Sequence, residues 1–308
     1  MNPFALPGVE DEHTYPLCPS KWKKHDSLYV DVDNIGQSFE QFQEHFQDPA
    51  IPMSEGRLIL VVGGRHCGKT SLVNRCVYWL IGHLETKKIT AVLVDLRTSG
   101  TDTEPVLIRT REAAQQTVNR VRAGKIVDAT TLDALEKRLD QPRQIYSLIS
   151  ETMAPGVALL MLLPPAVDVL DEVVEYARST HRGLFFFIES PHERLIEEQL
   201  VQVRQANATR PLTLRIGTLR EEDGEKFVSK RLGNAADGQY PRMTQADMKL
   251  LTRDPRPIGS LQEALFQVYR ERERSNDKYT PLDFVTYGDV TDAYFRWKTQ
   301  QGYGRTVG

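Results

Sequence analysis

What this chain of 308 residues lacks narrows it before any motif is read. No stretch approaches the roughly 18 apolar residues that a membrane-crossing helix needs. The longest apolar run, residues 157–167, is interrupted by Pro164-Pro165. Cysteine is scarce. Cys18, Cys67 and Cys76 are an odd three with no C-x-x-C among them, which argues against a disulfide framework or a zinc site and fits a reducing compartment. Neither sign of charge dominates, since 39 Lys and Arg against 42 Asp and Glu leave a net charge of −3. That balance supports neither a dedicated nucleic-acid binder nor a protein of anionic membrane surfaces. The first residues, MNPFALPGVEDEH, carry acids where a secretory leader would carry bases. The expectation is a cytoplasmic protein with no membrane partner. Internal repeats and low-complexity tracts are missing as well. The remainder, 40% hydrophobic and 26% charged, is ordinary for a folded globular chain.

One stretch stands out from this background. Residues 57–72 read RLILVVGGRHCGKTSL. The first six are mostly β-branched or leucine and predict a buried parallel strand. Gly63-Gly64-Arg65-His66-Cys67-Gly68-Lys69-Thr70 then fits G-x-x-x-x-G-K-[ST], the Walker A phosphate loop, in the strand–loop–helix context it requires. A loop that wraps a polyphosphate must bring backbone N–H groups close to oxygen atoms, and glycine allows that approach. The helix that follows points its N-terminal amides and dipole at the anion. The spacing assigns nucleotide contacts to residues 63–71, Ser71 included. Lys69 reaches the β- and γ-phosphates, and the Thr70 hydroxyl is the Mg²⁺ ligand. Cys67 is read as a small residue that fits a crowded loop.

Along the chain, residues 1 to about 24 hold four prolines and predict an extended arm whose aromatic and leucine side chains dock in cis. A short helix follows, ending near Phe46. After the loop, Leu72, Val73, Cys76, Val77, Leu80, Ile81 and Leu84 mark one buried helix face. Further strands are expected at 89–97, 157–163, 183–188 and 211–216, and helices at 167–178 and 193–203. A helical excursion fills about 100–154. Strands alternating with helices predict an α/β core with a five-stranded, mainly parallel sheet. From about residue 220 only helical patterns remain, at 220–232, 244–251, 257–274 and 286–297. The expected organisation is an arm and short helix at 1–50, a three-layer P-loop core at 51–219 and a small all-helical lid at 220–308.

A five-stranded P-loop core followed by a helical lid resembles the AAA+ class and the related STAND ATPases, over roughly residues 50–275. The resemblance implies ATP as the nucleotide; no guanine-reading N-K-x-D occurs in the chain. It implies a sensor-1 position at Glu189-Ser190. It also implies a sensor-2 arginine in Arg253-Asp254-Pro255-Arg256-Pro257, with Arg256 first and Arg253 second. Arg220 and Arg231 are the guesses for an arginine acting on a neighbouring subunit.

This sequence departs from that family in the third strand. The pattern calls there for an Asp that holds Mg²⁺ and a Glu that orients water. The chain offers Leu162-Leu163-Pro164-Pro165. The nearest acids, Asp168, Asp171 and Glu172, follow on the next helix. Asp95 and Glu189 end other core strands. In the family's strand order the fourth strand lies beside the first, so Glu189 and then Asp168 are the substitute catalytic acids, and Asp95 reads as structural. Losing such groups costs about 10²–10⁴-fold in rate each. The expected activity is therefore ATP binding with weak or absent hydrolysis. That describes a nucleotide-dependent switch or assembly factor acting through a protein partner or a homo-oligomer. The alternatives are an active ATPase that remodels protein or nucleic acid, and a small-molecule kinase.

Overall fold

Leucine, isoleucine and valine at 58–62 can be buried on both faces only within a sheet covered on both sides. The computed structural model places them so. It describes residues 2–9, 15–98, 105–166, 169–191, 201, 205, 211–233, 240–275 and 283–303. Strand β1 (Arg57–Val62) is buried along its whole length. It pairs in parallel with β4 (Leu184–Ser190) on one side and β5 (Leu212–Arg215) on the other. Beyond β4 lie β3 (Val157–Leu162) and then β2 (Thr90–Asp95), giving the order β2-β3-β4-β1-β5 with every pairing parallel. This is the five-stranded α/β sheet that the sequence predicts.

The chain divides into two compact units. The sheet belongs to the unit formed by Ser38–Gly63 and Cys76–Arg215. Alternation along the strands separates its two faces. Leu58, Leu60 and Val62 of β1, with Leu184, Phe186 and Ile188 of β4, pack beneath α4 (Val106–Ala123), α5 (Ala129–Glu136), α6 (Pro142–Thr152) and α7 (Val169–Arg178). The excursion after β2 is thus α4, α5 and α6. α5 starts earlier than its apolar pattern suggests, because Asp128 caps it by accepting the Thr131 amide at 2.7 Å. On the opposite face Phe185 and Phe187 meet the last turns of α1 (Ile35–Phe46). Phe46 lies 5.6 Å from Phe185 and Phe42 lies 6.1 Å from Phe187, ring centre to ring centre. Trp79, on α3 (Lys69–Thr86), closes the layer at 6.0 Å from Phe42. α2 (Ala50–Glu55) is a short helix leading into β1. The expected helix at 193–203 lies outside the described residues, apart from residue 201.

The other unit comprises Met1–Gln37, Gly64–Arg75 and Ile216–Gly308. Its C-terminal part holds α8 (Asp223–Leu232), α9 (Gln245–Leu250), α10 (Ile258–Arg274) and α11 (Tyr287–Tyr303). Thr244 caps α9 by accepting the Asp247 amide at 3.1 Å. The charged run 270–274 ties α10 to α11 through Arg272–Asp289 at 3.5 Å and Arg296–Glu271 at 2.6 Å. The N-terminal arm docks on these helices. Phe4 is fully buried, with ring centres 5.1 Å from Tyr269 and 6.1 Å from Phe227. The Asn2 side chain donates to the Phe266 carbonyl, and the Gln262 amide donates to that of Phe4. The basic-aromatic stretch 21–25 is absorbed by the arm itself. Lys21 sits over the rings of Tyr15 and Trp22, and buried His25 accepts the Cys18 amide at Nδ1. Nε2 of His25 therefore carries the proton donated to the Pro7 carbonyl at 2.9 Å.

One histidine sets an acid limit on stability. Burial foremost, and then the charge of Arg57, lower the pKa of His45 from 6.5 to about 4, against a smaller opposing effect of Glu55. The unfolded chain takes up this proton as pH falls through 6.5, and the native state does not until about pH 4. The stabilisation from a neutral His45 is thus complete above pH 6.5 and is lost progressively toward pH 4. His45→Leu should flatten that part of the stability profile. Urea unfolding at pH 7 and pH 4.5 checks this, and equal pH slopes for the two proteins would refute it.

Candidate functional site

The phosphate loop begins where β1 ends. Val61 and Val62 stand in register with Glu189 and Ser190, and the Gly63 amide donates to the Ser190 carbonyl at 3.2 Å. The end of β4 thereby fixes where the loop leaves the sheet. His66 and Gly68 then adopt left-handed backbone, with φ of 62° and 89°. Glycine is the residue that accepts the second of these without strain. α3 starts at Lys69, and its first bond runs from the Leu72 amide to the Gly68 carbonyl at 3.0 Å. The Lys69 ammonium donates to the Gly64 carbonyl at 2.7 Å, across its own loop. Arg65 and His66 are exposed, Gly64, Thr70 and Ser71 are half-buried, and Cys67 is buried inside the turn.

Two further segments grip this loop and the helix start. Leu17 of the arm donates its amide to Ser71 Oγ at 3.0 Å and accepts from Asn74 Nδ2 at 2.8 Å. The Tyr29 hydroxyl donates to the Ser71 carbonyl at 2.8 Å. Arg75 pairs with Asp31 at 2.9 Å and lies over the Tyr29 ring. From the C-terminal side, the Gly259 amide of α10 donates to the His66 carbonyl at 2.8 Å. No sequence motif signals the grip of the arm. Its only trace is the polar set Ser71, Asn74 and Arg75 on the first turns of an otherwise apolar helix.

Arg256 lies just before α10. Its carbonyl accepts the Leu219 amide at 2.9 Å. Its half-buried guanidinium makes no ion pair or hydrogen bond among the described residues, with Asp254 or any other acid. Arg253 is exposed. Arg231 is 7% exposed, beneath the Phe227 ring, and burial lowers its pKa to about 10. That location removes it as an arginine reaching into a neighbouring subunit. Arg220 is held by Asn34 Oδ1 at 2.7 Å.

The candidate acids separate clearly. Glu172 is spent on a buried ion pair. Arg109 Nη2 lies 3.1 Å from Glu172 Oε1, and the two side chains are 4% and 2% exposed. The same Arg109 nitrogen donates to the Pro165 carbonyl at 2.8 Å, so the pair clamps the proline turn after β3. Asp95 is taken by Arg97 through a bidentate contact of 2.9 and 2.6 Å, consistent with a structural acid on an edge strand. Asp171 is exposed. Glu189 is 5% exposed at the end of β4, and its carbonyl accepts the Ala166 amide. Asp168 lies outside the described residues. Among those residues no three His, Cys, Asp or Glu side chains gather into a metal site. A nucleotide-bound Mg²⁺ needs only one or two protein ligands beside phosphate and water. Thr70, half-buried at the start of α3, is the residue whose hydroxyl the loop motif would offer to such a metal.

No family model matches the chain. No curated protein matches it by sequence. Solved structures do match. The Aeropyrum pernix ORC1 protein in complex with DNA gives a TM-score of 0.59 at 12% identity, over 89% of this chain and 68% of that one. The Aeropyrum pernix ORC2 protein in its ADPNP–ADP complexes gives 0.56 at 12% identity, over 85% and 67%. Domain III of the Thermotoga maritima replication initiation protein DnaA gives 0.50 at 13% identity, over 91% and 97%. The shared fold is that of AAA+ ATPases. At these identities the likeness is one of fold alone. The chain spans about two thirds of the length of the two Aeropyrum proteins.

The Arg109–Glu172 clamp can be tested directly. Arg109→Met leaves a buried carboxylate unpaired and should cost about 3–5 kcal/mol. Arg109→Met combined with Glu172→Leu should recover most of that loss in urea unfolding. A double variant no more stable than the single one would show that the pair is not the clamp.

Proposed function

We propose that this protein binds ATP with Mg²⁺ at the loop 63–71 and works as a nucleotide-dependent switch or assembly factor, with hydrolysis slow or absent. The observation that carries the reading is an intact phosphate loop in a chain whose β3 ends, among the described residues, in a proline turn held by a clamped Glu172. Lys69 would exchange the Gly64 carbonyl for phosphate oxygen, and the α3 amides would complete the cradle. The Arg256 guanidinium, unpaired among the described residues, would pair with a phosphate. Bidentate pairing of that kind would couple nucleotide to the segment that opens α10. The output would pass through a protein partner or a second copy of this chain.

Glu189, buried at the end of the strand beside β1, is the acid that would support true hydrolysis, with Lys69 as its companion. A remodelling ATPase is therefore the second reading. The ORC1 neighbour is in complex with DNA, so a net charge of −3 does not exclude a nucleic-acid partner here. Net charge averages over a surface on which local patches decide such contacts.

Equilibrium binding of MgATP measured beside phosphate release decides between the two. Lys69→Ala should weaken binding about ten- to a hundredfold, as expected for a hydrogen bond to a charged group. Release should stay below about one per second, the low end of ordinary turnover. Faster release that Glu189→Gln abolishes would establish the ATPase reading and overturn the switch. Sizing with and without MgATP, and with duplex DNA added, would identify the kind of partner.

A further inference from the structure

Gly259 is the second residue of α10, whose flanking residue is Pro257. An amide in that first turn has no acceptor within its own helix. Here it donates to the carbonyl of His66, inside the phosphate loop, at 2.8 Å. His66 holds a left-handed φ of 62°, uncommon for a residue with a side chain. Such backbone persists where its surroundings fix it, and the Gly259 bond is one of those fixtures. The approach leaves no room for substitution. A Cβ at Gly259 would stand 2.8 Å from the His66 oxygen and 3.0 Å from the His66 Cβ. Glycine weakens a helix relative to alanine, and no positive φ requires it at this position. Close contact with the loop is the physical reason for it. The neighbouring side chain adds to the seam, since a Cβ at Gly68 would lie 3.4 Å from Ile258 Cγ2.

We infer that Gly259 is a positioning residue of the phosphate loop. Its amide fixes the His66 carbonyl, and its bare Cα lets the start of α10 lie against the loop. Loop shape and the start of α10 then change together when a nucleoside triphosphate enters, through backbone and without the Arg256 side chain. The inference rests on the nucleotide-binding reading of the loop.

The chain carrying Gly259→Ala should bind MgATP about tenfold more weakly, the upper end for one backbone hydrogen bond displaced by the added methyl. Gly82→Ala is the matched control, because a Cβ there meets nothing within 4 Å. It should bind as the parent does. Melting curves without nucleotide confirm that both variants fold. A second measurement needs no substitution at the seam. Hydrogen exchange at the Gly259 amide of the parent chain should change on adding MgATP, and should still change in Arg256→Ala. A parent chain that binds no nucleotide defeats the nucleotide reading and this inference with it. A parent that binds, with Gly259→Ala within about twofold of it or with a Gly259 amide indifferent to MgATP, overturns this inference alone.

Discussion

A parallel strand in the middle of a sheet has its polar backbone groups paired on both edges and its side chains buried on both faces. β1 is in that position, between β4 and β5. It can end only where its partners release it, and the Gly63–Ser190 bond marks that point. The loop that follows must turn sharply into α3. Left-handed backbone at His66 and Gly68 makes the turn. A packing constraint thus sets the start of the site: a fully buried strand fixes where the loop leaves the sheet.

The end of β3 shows the opposite use of a strand terminus. In the AAA+ pattern that position carries carboxylates, which must be reachable by metal and water. Here two prolines occupy it, and the nearest described buried acid, Glu172, is neutralised by Arg109 out of reach of solvent. A buried charge without a partner is costly, so such a pair is an all-or-none structural device. The clamp also binds the Pro165 carbonyl. The turn is therefore tied to α4 and α7 through one arginine.

The N-terminal arm gives the loop its third support. Leu17 and Tyr29 take up Ser71 and Asn74, while Asp33 accepts the Gly217 amide and donates its own amide to Asp223. Phe4 buries itself against Phe227 and Tyr269. The extended arm, expected to dock in cis, is in this unit the strap that joins the first turns of α3 to the C-terminal helices.

Periodicity and spacing alone determined the sheet class, the loop from Gly63 to Thr70, the buried face of α3 and the absence of acids on β3. Each is a local property, legible because a strand, a tight turn or an amphipathic helix imposes its own residue pattern. Partner choice is not local. That Arg109 would reach Glu172 across 63 positions, or that Gly259 would donate to His66, depends on elements distant in sequence meeting in space. Glycine at 259 weakens a helix relative to alanine. Only the tertiary structure shows that the missing Cβ is the room in which a loop carbonyl sits.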